Sequence, residues 1–165
     1  MKTFLKIILL ISLVCISIGL LVIGNGYNMY KEAIEKDPLE QKVEEIKSKE
    51  NYVSLSELPQ IYLNAVISVE DHRFYRHNGI DIIAIGRAVV NDIKAMSFVE
   101  GGSTITQQIA KNEYFTQEKK ITRKIAEVFM AFEIEKNYNK DEILEIYMRC
   151  GKPLQKETAE YCADC

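Results

Sequence analysis

The chain has 165 residues, 47% hydrophobic and 27% charged, with a net charge of −3; this excludes disorder and leaves room for one modest domain plus an appendage. Apart from Lys2 and Lys6, 24 acidic residues face 19 basic ones (21 less two), which is no footprint for nucleic acid or for a polybasic membrane patch. Three of the four cysteines (Cys150, Cys162, Cys165) crowd the last sixteen residues, so no disulfide framework is expected in the core, and a lone terminal C-x-x-C is weak evidence for zinc.

From Ile7 to Ile23 every residue is apolar or small, broken only by Ser12, Ser17 and Gly19. With Phe4, Leu5 and a snorkelling Lys6 the run is long enough to span a bilayer. The length of this core and the lack of a small-x-small site favour a retained anchor over a cleaved signal peptide. Val14 before Cys15 disfavours lipidation. Lys2 and Lys6 put the N-terminus in the cytoplasm and the chain after Tyr27 outside. Residues 1–27 are thus cytoplasmic tip and anchor, and 28–51, charged and divided by Pro38, read as a helical stalk or linker.

The folded part is expected at 52–148. "SELPQIYLNAVISVEDHRFY" has Ser56 as N-cap, Pro59 in the first turn and apolar Tyr62, Ala65, Val66 and Val69 at helical spacing. "DIIAIGRAVVNDIKA" repeats the period at Ile82, Ile85, Val89 and Ile93, and "GGSTITQQIAKNEYF" leads from a glycine pair into a third helix. "ITRKIAEVFMAFEIEK" aligns Ile121, Ile125, Val128, Phe129 and Phe132, and Asn139 with Glu142 resembles a capping box before "DEILEIYM". Nothing alternates like a strand. The fold class is all-α.

Two carboxylates stand out. Glu70, late on its helix, should face a cleft, and Glu127 lies four residues after Arg123, away from Ile125 and Phe129. Carboxylates on separate helices of one cleft suit glycosyl chemistry, although an Arg-x-x-x-Glu pair alone is usually a surface salt bridge. "GGSTITQQ" offers glycines for close approach, the hydroxyls of Ser103 and Thr104, and helix N–H groups for a phosphate, with Lys111 two turns on. Lys111, Lys119, Lys120, Arg123 and Lys124 form a local basic cluster in an acidic chain, which suggests one anionic ligand. His72 and His77, about 140° apart on a helix, lack a third metal ligand. They read as structural, bonding the turn at Asn78-Gly79, and no metal site is expected.

Taken in order and spacing, "EDHRFYRHNGID", "GGSTITQQIAKN" and "RKIAEVFMAFEIEKNYNKDEILEIYM" closely resemble glycosyltransferase family 51, the peptidoglycan glycosyltransferases that occur alone or in class A penicillin-binding proteins. The resemblance runs from about Tyr52 to Met148. It implies a lysozyme-like helical domain behind a single transmembrane helix, with a smaller mobile lobe near the membrane. It implies polymerisation of lipid II into glycan strands, with inversion and loss of undecaprenyl diphosphate. Glu70 would be the general base on the acceptor's 4-hydroxyl, with Asp71 the next candidate. Glu127 would help hold the donor diphosphate. Lys111, Arg123, Arg87, Ser103, Thr104 and Gln107 would bind substrate. The family requires no cofactor beyond an optional divalent cation, Mg or Mn, at the diphosphate. Implied partners are lipid II, the growing strand, the membrane and other cell-wall synthesis proteins, at the outer face of the cell membrane.

The family pattern breaks at Arg149-Cys150, and the tail 149–165 reads as a truncated or frameshifted end. A non-catalytic, membrane-anchored lipid II binding protein is therefore the alternative. A lysozyme-like hydrolase ranks third, having no need of a diphosphate-clamping cluster.

Overall fold

A computed structural model describes residues 2–48, 54–96, 101–116 and 120–150. Among these residues seven α-helices follow one another: α1 Lys2–Lys36, α2 Leu39–Lys47, α3 Gln60–Glu70, α4 Ile82–Ala95, α5 Ile105–Tyr114, α6 Ile121–Asn137 and α7 Lys140–Cys150. Short 3-10 turns lie at Leu55–Glu57 and Phe74–Arg76. Among the described residues there is no strand. Of the expected tail, Arg149 and Cys150 end α7, and residues 151–165 lie outside the described residues.

The apolar side chains of the first half of α1 are exposed from Phe4 to Leu21, and Ser12 and Ser17 donate to the carbonyls of Leu9 and Leu13 at 2.8 and 2.9 Å. Their hydroxyls are thus satisfied within the helix, which hydrocarbon requires. The helix is long and apolar enough to cross a membrane.

Beyond it the segment expected as a stalk belongs to the packed structure. α1 runs unbroken to Lys36 and lies along α6. Gly26 permits the approach, because a Cβ there would sit 2.5 Å from Ile125 Cγ2. Phe129 then packs between Tyr27 and Tyr30, with ring centroids 5.3 and 6.0 Å away. α2, entered through Pro38, buries Leu39, Val43 and Ile46, facing α7. A charged stretch looked like a spacer because its apolar residues are few; those few are buried or half-buried.

The core gathers Ile105 and Ile109 of α5, Met130 and Ile134 of α6, and Ile143, Leu144 and Ile146 of α7 around Phe74. Polar ties cross it: Thr106 Oγ1 donates to Glu135 at 2.6 Å, and Lys140 meets the same carboxylate at 2.7 Å. The α6 face differs from expectation. Its deeply buried residues are Ala126, Glu127, Met130, Ala131 and Ile134, while Ile121 and Phe132 are exposed. Small residues let α5 come close, whereas Ile125 and Phe129 serve the separate contact with α1.

Two other expectations shift. Ser54, not Ser56, caps the first 3-10 turn, and α3 starts after Pro59; its buried residue is Leu63, whereas Val69 is 81% exposed. On α4, Ile82, Ile85, Val89 and Ile93 are all exposed, and only Ala88 is buried. This helix is held at its start instead. Asp81 accepts from the backbone of Ile83 and Ala84 at 2.9 and 3.0 Å, and Arg73 pairs with it at 2.9 Å. Burial opposes ionisation of Asp81, yet the Ala84 N–H, the Arg73 charge and the Ile83 N–H hold its carboxyl below the ordinary value. The capping box expected at α7 is present: Asn139 Oδ1 accepts from Glu142 N at 3.0 Å, and Asn139 N donates to Glu142 at 2.8 Å.

Candidate active site

α5 is the axis of the site. Thr104 caps it by accepting from Gln107 N, and the Gln107 side chain accepts from Thr104 N at 3.1 Å, a reciprocal capping box. Thr104 also donates to the carbonyl of Gly79 at 2.6 Å. The N–H of Ile105 goes to Asp71 Oδ2 at 3.1 Å. These N–H groups therefore do not point outward for a phosphate as expected; they are spent inside the protein. Thr104 and Gln107 are 2% and 1% exposed, so both are scaffold rather than ligand contacts. Nor is the glycine pair open on both sides, since a Cβ at Gly102 would face Ile85 and Ala88 of α4.

Asp71 belongs to the same scaffold. It is buried and lies 2.9 Å from His77 Nε2. That contact also revises the histidine reading: His77 is structural but bonds Asp71, and Thr104 bonds the turn at Gly79. Gly79, at φ +83°, needs glycine. Asp71, His77 and Asp81 bring donor atoms within 4.8 Å of one another. However, Arg73 on Asp81 and the Ile105 N–H on Asp71 already occupy these carboxylates. With both oxygens turned inward, Asp71 cannot stand in for Glu70 as a base.

Two groups of side chains remain open. The first is cationic. Glu127, fully buried, is met by Arg123 Nη1 at 2.8 Å and Lys124 Nζ at 2.9 Å. Lys124 also donates to Ser103 Oγ at 2.6 Å. The Arg-x-x-x-Glu pair is thus no surface bridge. One buried carboxylate gathers two cations and, through Lys124, fixes the serine before α5.

The second group surrounds Glu70, the last residue of α3, which is exposed. Gln108 Nε2 donates to its Oε2 at 2.8 Å, and Tyr147 OH of α7 donates to Gln108 Oε1 at 3.3 Å. Burial, then the charge of Glu70 and a hydrogen bond to it, push the Tyr147 phenol up to about 12. Lys111 follows Gln108 by three residues, so both occupy one side of α5. It has no carboxylate partner among the described residues.

Ser103, Arg123 and Glu127 come together as expected, and Glu70 and Lys111 flank the same helix. Arg87 is exposed on α4, which carries neither group. Lys119 lies outside the described residues. Sequence reasoning placed Lys124 in the basic cluster but missed Gln108 and Tyr147, although each stands in a quoted motif. Gln107 and Gln108 look alike in "TQQ", and only packing tells the cap from the site residue.

The transglycosylase family profile matches residues 37–150. The chain belongs to the transglycosylase family. The match starts at α2, in accord with the packing of Leu39, Val43 and Ile46. This transglycosylase domain is 48% identical over 100 residues to penicillin-binding protein 1A/1B of Bacillus subtilis, covering 61% of this chain and 11% of that protein. It is 52% identical over 96 residues to penicillin-binding protein 1F of the same organism, covering 58% and 13%. Penicillin-binding protein 1A of Neisseria gonorrhoeae is 47% identical over 96 residues, covering 58% and 12%. The chain therefore spans about an eighth of these relatives.

Proposed function

We propose that this chain carries out peptidoglycan glycosyl transfer from lipid II. Family membership supports the reaction class, and the contrast between the two open groups supports the roles. An exposed carboxylate held by neutral donors suits a base, and a cluster of cations suits a leaving diphosphate. Glu70 takes the proton of the acceptor's 4-hydroxyl as that oxygen attacks the donor's anomeric carbon. The bond to the diphosphate breaks, the configuration inverts, and undecaprenyl diphosphate leaves with charge balanced by Lys111, Arg123 and Lys124. Glu127 acts by holding two of those cations, since a carboxylate cannot itself attract a diphosphate. Both its oxygens are met by cations, so a divalent cation does not fit there.

The anchor fits a lipid substrate. In this reading α1 crosses the membrane once, N-terminus inside, and the domain works at the outer surface. The exposed apolar side of α4 then lies toward lipid. Polymerisation of labelled lipid II by the full chain in vesicles tests the reading. The parent should form glycan polymer, and Glu70→Gln should bind lipid II but form none. A parent that retains lipid II without forming polymer points to the binding-protein alternative instead.

A further inference from the structure

Glu70 ends α3, and the carbonyl end of a helix offers its carboxylate no backbone N–H. An exposed glutamate left to itself samples many rotamers, and orienting it costs up to about 2 kcal/mol of side-chain entropy. A base must nevertheless meet its hydroxyl within hydrogen-bond reach. Something must aim it.

The side chains around it can. A carboxylate only accepts, so the Gln108 amide must turn its Nε2 toward Glu70, 2.8 Å away. That leaves Gln108 Oε1 facing Tyr147, whose hydroxyl must then donate across 3.3 Å. The order of donors is thus fixed by Glu70 itself and by the single proton of the phenol. Both partners stand on packed elements: Gln108 follows the buried Gln107 on α5, and Tyr147 is 9% exposed on α7 between buried Ile146 and the core.

We propose that Gln108 and Tyr147 are positioning residues for Glu70, aiming its carboxylate at the acceptor hydroxyl. This rests on the reading of Glu70 as the base. It adds that α7 takes part in the chemistry through one phenol, and that the second glutamine of the pair, not the first, serves the site. When Glu70 takes up the acceptor's proton, Gln108 Oε1 still accepts from the Tyr147 hydroxyl. Tyr147 therefore keeps a partner throughout the step.

The test uses the full chain in vesicles with labelled lipid II, and the same chain with 13Cζ-tyrosine for titration by nuclear magnetic resonance. Gln108→Leu should lower kcat about tenfold, the worth of one hydrogen bond to a charged group, and Tyr147→Phe should lower it by less. KM for lipid II and the melting temperature should stay at parent values, which a merely structural role would not produce. The Tyr147 signal should titrate near 12 in the parent and lower in Glu70→Gln. Parent kcat in Gln108→Leu, or a raised KM in place of a lowered kcat, overturns the proposal. So do identical Tyr147 titrations in the parent and in Glu70→Gln, a measurement that needs no turnover. Failure of the underlying reading looks different, because Glu70→Gln would then polymerise like the parent.

Discussion

Glu70 and Glu127 are the same residue type on two helices of one small domain, and their surroundings are opposites. Glu70 is exposed and touched by an amide and a phenol. Glu127 is fully buried and clamped by a guanidinium and an ammonium. A carboxylate sealed between two cations organises charge and is out of reach of a substrate. A carboxylate at the surface, met by a neutral amide, can be reached by one. Environment, more than identity, separates the two roles.

The widest gap between them should appear in turnover. Glu70→Gln keeps shape and polarity but cannot accept a proton, so polymerisation should fall by roughly 10²–10⁴-fold. Circular dichroism and melting temperature should match the parent. A parent-like rate would remove the contrast at its root.

Glu127→Ala should act chiefly on stability. It leaves Arg123, 14% exposed, without its buried counter-charge, and breaking such a pair costs about 3 kcal/mol. This is the low end of the range because Lys124, 45% exposed, can turn to water. Urea denaturation should show the loss, and Glu127→Gln a smaller one. Unchanged stability in both would mean that the clamp carries no structural weight.

Lys111 sharpens the comparison, because it is a cation that Glu127 does not hold. Lys111→Ala should weaken lipid II binding about tenfold, as loss of a charge-assisted contact does, with little change in melting temperature. Equal affinity for parent and variant would mark it as a solvated side chain.

The smallest effect concerns a third carboxylate, Asp81, which is purely structural. Its folded-state pKa lies below the unfolded value, so the native form binds fewer protons. Its stabilisation is complete above the unfolded carboxyl value, about pH 4, and fades as pH falls through the lowered folded value. Asp81→Asn should therefore flatten the acid limb of the melting temperature. At neutral pH it should cost about 1 kcal/mol, through the lost Arg73 pair, since asparagine still caps. An unchanged acid limb would show that other carboxylates govern it.

By itself the sequence determined the helices, the apolar N-terminal span, the cap at Asn139 and the pairing of Arg123 with Glu127. These depend on local periodicity, on capping chemistry and on motifs whose spacing places residues on one helix side. Tertiary structure alone decided what each apolar face meets. The repeats on α4 and α6 read alike, yet Ile93 and Phe132 face out, and the residue sealed on α6 is Met130, outside its repeat. Only packing turned the charged stretch after Tyr27 into part of the core. Only packing sent the N–H of Ile105 to Asp71, thirty-four positions earlier, and closed the expected phosphate cradle. It also separated Gln107 from Gln108, because neighbours on a helix point about 100° apart and which of them meets Glu70 depends on where α3 and α7 dock.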